Sequence, residues 1–252
     1  MRPVALVTGG WRRIGAAIAA ALAADGWDLA LHAHHPTAFD RDMIAQLERS
    51  GARTQGFAGD LTNPHFPEAL VEEAAAAFGR APTLLVNSAS MFRDDRLASL
   101  TADSLDLHMR TNLYAPLLLT KALAAMLGET EGSVVMLLDQ RVRNPIPDQL
   151  AYSLSKQALH AGLRNLARDL APRIRVNGVA PGLVLPTEDY DDAQWARLTA
   201  LMPLDRLASP QDIAAAVVFL AQARAVTGQT IFVDSGANLE AYPRDFVYMG
   251  HE

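Results

Sequence analysis

Short, strongly apolar stretches alternate along the chain with longer segments in which apolar residues recur at helical spacing. The short stretches predict strands buried in a parallel sheet, and the longer segments predict helices. We expect about seven strands, at residues 3–8, 27–33, 54–58, 83–86, 133–138, 175–179 and 230–233. Their alternation with helices predicts an α/β fold, a Rossmann-type doubly wound parallel sheet with helices on both faces.

Helices are expected between these strands and near the end of the chain. They cover residues 14–24, 40–49, 68–78, 105–127, a segment through Tyr152 and Lys156 that runs to about residue 170, and residues 211–220. Pro116 lies inside the fourth segment, where a proline is expected to kink the helix. The chain contains no internal repeat or long linker, so residues 1–252 are expected to form a single domain.

The composition excludes several classes of function. The chain has no cysteine, which rules out disulfides, thiol catalysis and thiolate metal sites. Its formal net charge of −6 argues against a nucleic-acid partner. No apolar run reaches membrane length and no leader-like segment precedes the first strand, so we expect a cytoplasmic protein without a membrane partner.

The turn after the first strand has the composition of a dinucleotide-binding loop. It reads Thr8-Gly9-Gly10-Trp11-Arg12-Arg13-Ile14-Gly15. Glycines let the backbone approach a phosphate, and the N-terminus of the following helix offers free N–H groups and a positive dipole end. An ordinary turn between a strand and a helix is the alternative interpretation.

Polar side chains near this turn favour NADP(H) over NAD(H). The side chains concerned are Arg12, Arg13, His32, His34, His35 and Thr37. Arg13 replaces the middle glycine of the loop, and histidines stand where an NAD-binding protein places an acid for the ribose diol, so a 2′-phosphate fits better. Solvent-facing histidines are one alternative. A histidine metal site is another, but it lacks an obvious fourth ligand, so no metal is expected.

Tyr152 and Lys156 lie four residues apart on a predicted helix, and therefore on the same face, one turn apart. A neighbouring ammonium favours the phenolate and lowers the pKa of the tyrosine, which can then donate or accept a proton near neutral pH. The pair is common in proteins, so it indicates catalysis only in combination with the phosphate-binding turn.

Several motifs, in order along nearly the whole chain, resemble those of the short-chain dehydrogenase/reductase family. The matching positions are Thr8-Gly9 with Gly15, Asp60-Leu61, Asn87-Ser88-Ala89, Asn112, Tyr152 with Lys156, Pro181-Gly182 and Val233-Asp234-Ser235-Gly236. The resemblance implies an NADP-dependent oxidoreductase that usually forms a homotetramer. It also implies that Lys156 holds the nicotinamide ribose hydroxyls and that Asn112 holds a water or a backbone group of the proton relay.

The residues, together with the resemblance, give a set of expected cofactor contacts. The set is Gly9, Arg12, Arg13, Ile14, Gly15, His34, His35, Thr37, Asp60, Leu61, Asn87, Ser88, Ala89, Tyr152, Lys156, Pro181 and Gly182. The expected cofactor is NADPH or NADP.

Asp139 stands where that family usually has a serine, thirteen residues before its tyrosine. A serine hydroxyl donates a hydrogen bond to a substrate carbonyl, whereas an ionised Asp139 can only accept, and its charge tends to raise the pKa of Tyr152. The substitution favours a nitrogen-rich heterocycle over a plain ketone, and a protonated Asp139 could deliver a proton to a ring nitrogen. The alternative is that the usual serine has been lost without a new role for Asp139 and that the site has poor activity.

Four features of the sequence resemble the pteridine reductase branch of the family. They are Asp139, the Arg13-Ile14-Gly15 turn, the histidine-rich end of the second strand and Ser90-Met91-Phe92. The resemblance implies that Phe92 stacks on a pterin, while Ser90 and Arg13 contact both substrate and cofactor. Ordinary apolar packing is the alternative role for Phe92. The chain departs from the branch at residues 35–37, where Arg-Ser is frequent, and at Ser88, where a second asparagine is usual.

The resemblance implies reduction of a dihydropterin, of the dihydromonapterin, dihydrobiopterin or dihydrofolate type, by hydride transfer to a C=N bond. The expected catalytic residues are Asn112, Asp139, Tyr152 and Lys156, and the expected substrate contacts are Arg13, Ser90, Phe92, Asp139 and Tyr152. A carbonyl, sugar or 3-oxoacyl reductase of the same fold is one alternative. A non-catalytic NADPH-binding sensor is another.

Two further segments are expected near the site. Residues 183–204 are predicted to form a substrate lid, acidic at Glu188-Asp189-Tyr190-Asp191-Asp192, where the acidity either selects the substrate side chain or faces solvent. Residues 240–252 form a tail containing Tyr242, Phe246 and Tyr248 that could dock on a neighbouring subunit.

Overall fold

Parallel pairing of strands organises the protein in the computed structural model, which describes residues 1–185 and 190–250. The strands are β1 Val4–Thr8, β2 Asp28–Ala33, β3 Thr54–Ala58, β4 Leu84–Asn87, β5 Gly132–Leu137, β6 Ile174–Pro181 and β7 Thr230–Val233. They form one sheet in the order β3-β2-β1-β4-β5-β6-β7, and every pairing between neighbours is parallel. The predicted doubly wound sheet is confirmed.

Helices cover both faces of the sheet. They are α1 Arg13–Ala24, α2 Arg41–Arg49, α3 Phe66–Phe78, α4 Ala102–Met109, α5 Ala115–Leu127, α6 Leu150–Asp169, α7 Asp192–Ala200 and α8 Pro210–Gln222. One core layer packs α1 and α8 against the sheet, and the other packs α3, α5 and α6. Within the described ranges, no helix is both long and apolar enough to cross a membrane.

The helix predicted over residues 105–127, with a kink at Pro116, is interrupted in the structure by a π-helical turn. The α-helix α4 ends at Met109, a π-helical turn covers Arg110–Tyr114, and α5 follows. Pro116 lies in the first turn of α5, and the irregularity comes before it, because the proline has no N–H to bond to a carbonyl of the preceding turn. The π-helical turn carries Asn112, and turns of this kind are frequent at functional sites.

The turn from β1 to α1 is closely packed against the end of β4. The Thr8 hydroxyl oxygen accepts hydrogen bonds from the backbone N–H groups of Ser88 and Ala89, each over 3.0 Å. Gly9 has a φ of 63°, and a Cβ added at Gly9 would lie 3.0 Å from the Ala89 Cα. Glycine is therefore required where these two segments meet.

Replacing Gly15 with alanine is expected to lower the free energy of unfolding by about 1–3 kcal/mol. The added Cβ would lie 2.1 Å from the Gly9 carbonyl oxygen, so the turn would have to shift. Gly162→Ala in α6 is the matched control, because its added methyl meets nothing within 4 Å and replaces a poor helix former. Urea denaturation compares the two variants, and equal stabilities would contradict this packing of the turn.

Candidate active site

A cleft of about 690 Å³ lies at the carboxyl ends of the central strands. The predicted site residues that line it are Arg13, Ile14, Ser88, Ser90, Phe92, Asp139, Tyr152, Lys156, Pro181 and Gly182. They come from α1, from the ends of β4, β5 and β6, and from α6. A cleft of this size at this edge of the sheet is typical of ligand sites in doubly wound folds.

Tyr152 and Asp139 share a hydrogen bond in this cleft. The Tyr152 hydroxyl donates to Asp139 Oδ2 over 2.8 Å, and the backbone N–H of Arg141 donates to Asp139 Oδ1 over 2.8 Å. Asp139 follows β5, whereas Tyr152 lies in the first turn of α6. Asp139 thus accepts one hydrogen bond on each oxygen, and Tyr152 is the side chain that donates to it.

Burial changes the proton affinities of Tyr152 and Lys156 in opposite directions. It raises the pKa of Tyr152 well above its ordinary value, and the Asp139 carboxylate raises that pKa further. Burial lowers the pKa of Lys156 to about 8, with Asp139 acting in the opposite direction. The expected lowering of the tyrosine pKa by Lys156 is not found, because desolvation of the phenolate has the largest effect and the cation that opposes it is Arg141. Tyr152 stays protonated at neutral pH.

Lys156 is held by the end of β5. Its Nζ donates to the Leu137 carbonyl oxygen over 2.7 Å and lies 5.8 Å from the centre of the Tyr152 ring. Because an ammonium has three donors, Lys156 can still donate to a ligand in the cleft.

Asn112 fixes the segment that follows β4. Its Oδ1 accepts from the backbone N–H of Met91 over 2.8 Å, and its Nδ2 donates to the Met91 carbonyl oxygen and to Ser155 Oγ, each over 2.9 Å. Ser90 Oγ donates to Asn112 Oδ1 over 3.3 Å. These bonds agree with the expectation that Asn112 holds a backbone group, and they position the chain that carries Phe92.

Phe92 presents an aromatic ring to the cleft. Its side chain is 52% exposed, and its ring meets the Tyr152 ring edge to face, with centroids 4.8 Å apart and an interplanar angle of 75°. Ordinary core packing does not account for an aromatic side chain this exposed. The ring is available to stack on a planar ligand.

The predicted phosphate-binding side chains lie on the surface beside the same edge of the sheet. Arg12, Arg13, His34, His35 and Thr37 are all exposed. His34 Nδ1 is 3.8 Å from Asp60 Oδ1. His32 has a different role, because its ring is buried and its Nε2 bonds to the Gly59 carbonyl oxygen over 3.0 Å. Within residues 1–185 and 190–250, no cluster of three or more metal-ligating side chains occurs.

Other predicted cofactor residues serve the packing around the cleft. Leu61 and Asn87 are buried, and Asn87 Nδ2 donates to Met136 Sδ over 3.2 Å. Gly9, Gly15 and Ala89 shape the turn described above. These residues form the support for the cleft, and none of them is among the side chains that line it.

Sequence analysis missed several polar residues that line the cleft. They are Asp94, Gln149, Arg141, Asp245 and Tyr248. Arg141 is buried and follows Asp139 by two residues, so a cation so close to the unusual acid was the signal that could have found it. Asp245 and Tyr248 lie far along the chain in the tail and carry no local signal.

The described part of the predicted tail, residues 240–250, packs against its own chain, and its docking on a neighbouring subunit stays a prediction. The buried carboxylate of Asp148 anchors it by accepting from Arg244 Nε and from the backbone N–H of Asp245, each over 2.9 Å. Phe246 and Tyr248 thereby reach the cleft. The buried charge of Asp148 explains this packing, because the tail supplies hydrogen-bond donors to it.

Part of the predicted lid also borders the cleft. Leu183 and Tyr190 are among the residues that line it, and α7 follows. In the acidic run, Glu188 and Asp189 lie outside the described residues. Asp191 caps α7 by accepting from the Gln194 N–H over 2.6 Å. A capping role and solvent exposure account for Asp191 without a bound ligand.

Proteins with similar sequences identify the family of this chain. A family model described as enoyl-(acyl carrier protein) reductase matches residues 10–238. The chain belongs to the short-chain dehydrogenase/reductase family. It is 30% identical to pteridine reductase 1 of Leishmania tarentolae over 94% of this chain and 96% of that relative. It is 34% identical to the 3-oxoacyl-[acyl-carrier-protein] reductase FabG of Escherichia coli, over 92% and 96%.

A solved structure matches the fold closely. The alternative dihydrofolate reductase 1 FolM of Brucella canis, complexed with NADP, has a TM-score of 0.85 and 35% identity, covering 94% of this chain and 95% of that chain. The family membership and the resemblance to the pteridine-reductase-like branch are confirmed. The chain is therefore an oxidoreductase of this family.

The activity is expected to fall as the pH rises through about 8. Because burial lowers the pKa of Lys156 to about 8, its ammonium form is present below that pH and lost above it. In Asp139→Asn, the carboxylate that raises this pKa is gone, so the fall in the residual activity moves to lower pH. Profiles of kcat/KM against pH for both proteins check this, and a fall at the same pH in both would contradict it.

Proposed function

We propose that this protein is an NADPH-dependent reductase of a dihydropterin, of the dihydromonapterin, dihydrobiopterin or dihydrofolate type, forming the tetrahydro product. The observation that carries the proposal is the Asp139 carboxylate, 2.8 Å from the Tyr152 hydroxyl, at a position where a serine hydroxyl is usual in the family. A carboxylate accepts hydrogen bonds from the ring N–H and amino groups of a pterin, but it cannot donate one to a carbonyl oxygen.

The surroundings of Asp139 suit a flat heterocycle. Phe92 offers an exposed ring beside Tyr152. Arg13 at the start of α1 and Ser90 after β4 add polar groups to the lining. A pocket that combines an aromatic surface with a few placed polar groups is typical of sites for such ligands.

The turn and the end of β2 fit NADP(H). The Gly9 backbone packs against Gly15 in the first turn of α1, so the turn reaches the N-terminus of that helix, where a pyrophosphate is favoured. The exposed Arg13, His34 and His35 suit the 2′-phosphate of NADP. Lys156 retains donors for the ribose hydroxyls. NADPH, when bound, supplies the hydride, and the FolM structure of Brucella canis is a complex with NADP.

The protein's own contribution is orientation and a proton. Tyr152, kept protonated by its raised pKa, donates toward Asp139, and one of this pair delivers the proton to the ring nitrogen next to the reduced carbon. Lys156 and Arg141 lie 5.8 and 5.6 Å from the Tyr152 ring centre, and their positive charges offset the negative charge left behind. The expected homotetramer and cytoplasmic location stay predictions.

Reduction of a 3-oxoacyl or other carbonyl substrate is the second candidate, favoured by the 34% identity to FabG of Escherichia coli. A non-catalytic NADPH-binding protein is a weaker candidate, because Tyr152 and Lys156 both line the cleft.

Oxidation of NADPH by the purified protein, followed at 340 nm, is expected with dihydropterins and not with ketones. The panel contains dihydromonapterin, dihydrobiopterin and dihydrofolate, with 3-oxoacyl thioesters, simple ketones and sugars as the comparison. Turnover of carbonyl substrates alone would overturn the proposal. Binding of NADPH without turnover of any of them would favour the sensor.

Asp139→Ser is expected to lower kcat/KM for the dihydropterin by about 100-fold, because it removes the acceptor and proton carrier from the site. Turnover of carbonyl substrates is expected to stay equal or rise, since a hydroxyl can donate to a carbonyl oxygen. Asp212→Ser is the matched control, because Asp212 caps α8 and its loss affects stability alone. Undiminished pterin turnover in Asp139→Ser would show that the acid is not used.

A further inference from the structure

A buried arginine lies in the wall of the cleft beside the unusual acid. The Arg141 side chain is 9% exposed, and its Nη2 pairs with the Asp245 carboxylate. Its Nη1 donates to Gln149 Oε1 over 3.2 Å, and its Nε lies 3.7 Å from Asp139 Oδ1. One cation thus faces two carboxylates, one after β5 and one in the tail.

The same guanidinium reaches both aromatic rings of the site. Arg141 Cζ is 5.5 Å from the centre of the Phe92 ring and 5.6 Å from that of Tyr152. At these distances a cation attracts the ring faces. Arg141 therefore contacts the acid, the stacking ring and the tyrosine at once.

Stability alone does not explain this pair. Desolvation of a buried arginine and aspartate offsets most of their mutual attraction, so such pairs contribute little net stability. Asp245 is buried as well, and burial raises its pKa while Arg141 lowers it. Asp245 is held in place by Asp148, which is fully buried and accepts from the Asp245 N–H over 2.9 Å.

We propose that Arg141, held by Asp245 of the C-terminal tail, is a positioning residue for the reduction, and that the tail is a wall of its own chain's active site. The inference rests on the proposed function, because Asp139 and Phe92 are the groups that Arg141 positions. The backbone N–H of Arg141 donates to Asp139 Oδ1, which leaves Oδ2 to accept from Tyr152. The guanidinium of Arg141 places a positive charge beside Asp139 and Tyr152.

The charges around Arg141 predict opposite effects for its two partners. The groups that face it are Asp139, Asp245, Tyr152, Tyr190 and Gln149. Removing the cation makes the site more negative, so protons are held more tightly. Removing the Asp245 charge makes the site more positive, so protons are released more easily.

The test is the pH profile of kcat for Arg141→Met and Asp245→Asn. In Arg141→Met, kcat is expected to fall about 100-fold, as misplacement of site groups does, and the profile to move about one pH unit higher. In Asp245→Asn, the profile is expected to move lower. Arg141→Lys keeps the positive charge but not the planar, two-pronged guanidinium. Its pH profile should match that of the wild-type protein, and its kcat should lie between those of the wild-type protein and Arg141→Met.

Arg175→Met is the matched control for a structural arginine. Arg175 donates to the carbonyl oxygens of Leu220, Ala221 and Ala223 at the far end of β6, so its loss should lower the melting temperature and leave the pH profile unchanged. Profiles that stay in place, or that move in the same direction in Arg141→Met and Asp245→Asn, would overturn the proposal. If Arg141→Met does not fold, the direction of the shift in Asp245→Asn decides.

The profiles are measured with whichever substrate of the panel the wild-type protein reduces. A wild-type protein that reduces only carbonyl compounds contradicts the dihydropterin function before any variant is compared. An active wild-type protein with unshifted variants contradicts the role of Arg141 alone.

Discussion

The parallel pairing of the strands is the constraint on which the site depends. Because the strands run in one direction, the segments that follow β1, β4, β5 and β6 meet at one edge of the sheet. Two side chains lock these segments together. Thr8 Oγ1 accepts from the backbone after β4, and Asn112 joins that backbone to α6 through Ser155. Phe92, Asp139 and Tyr152 come together as a consequence.

Burial then decides what the charged groups of this edge can do. Burial raises the pKa of Tyr152 and lowers the pKa of Lys156 to about 8. The tyrosine therefore keeps its proton, while the lysine loses its proton near pH 8. The Asp139 carboxylate acts on both residues. Arg141 and Asp245 form an ion pair behind it, so each of these two buried charges has an opposite partner.

The chemistry that we propose for this chain depends on one side chain. The family usually places a serine hydroxyl before its tyrosine, and a hydroxyl both donates and accepts. Asp139 accepts from Tyr152 and from the Arg141 backbone. A polar heterocycle with several N–H groups complements such an acceptor, and the exposed ring of Phe92 complements its flat face.

The sequence by itself determined the sheet, the glycine-rich turn after β1 and the spacing of Tyr152 and Lys156, and it showed that Asp139 departs from the family pattern, because periodicity and short motifs are local properties of the chain. Only the tertiary structure decided the direction of the Tyr152 pKa, since burial depends on what packs around the ring. It also decided the π-helical turn at Asn112 and the contact of Arg141 with Asp245. Those two partners are far apart along the chain, and only folding of the tail onto Asp148 brings them together.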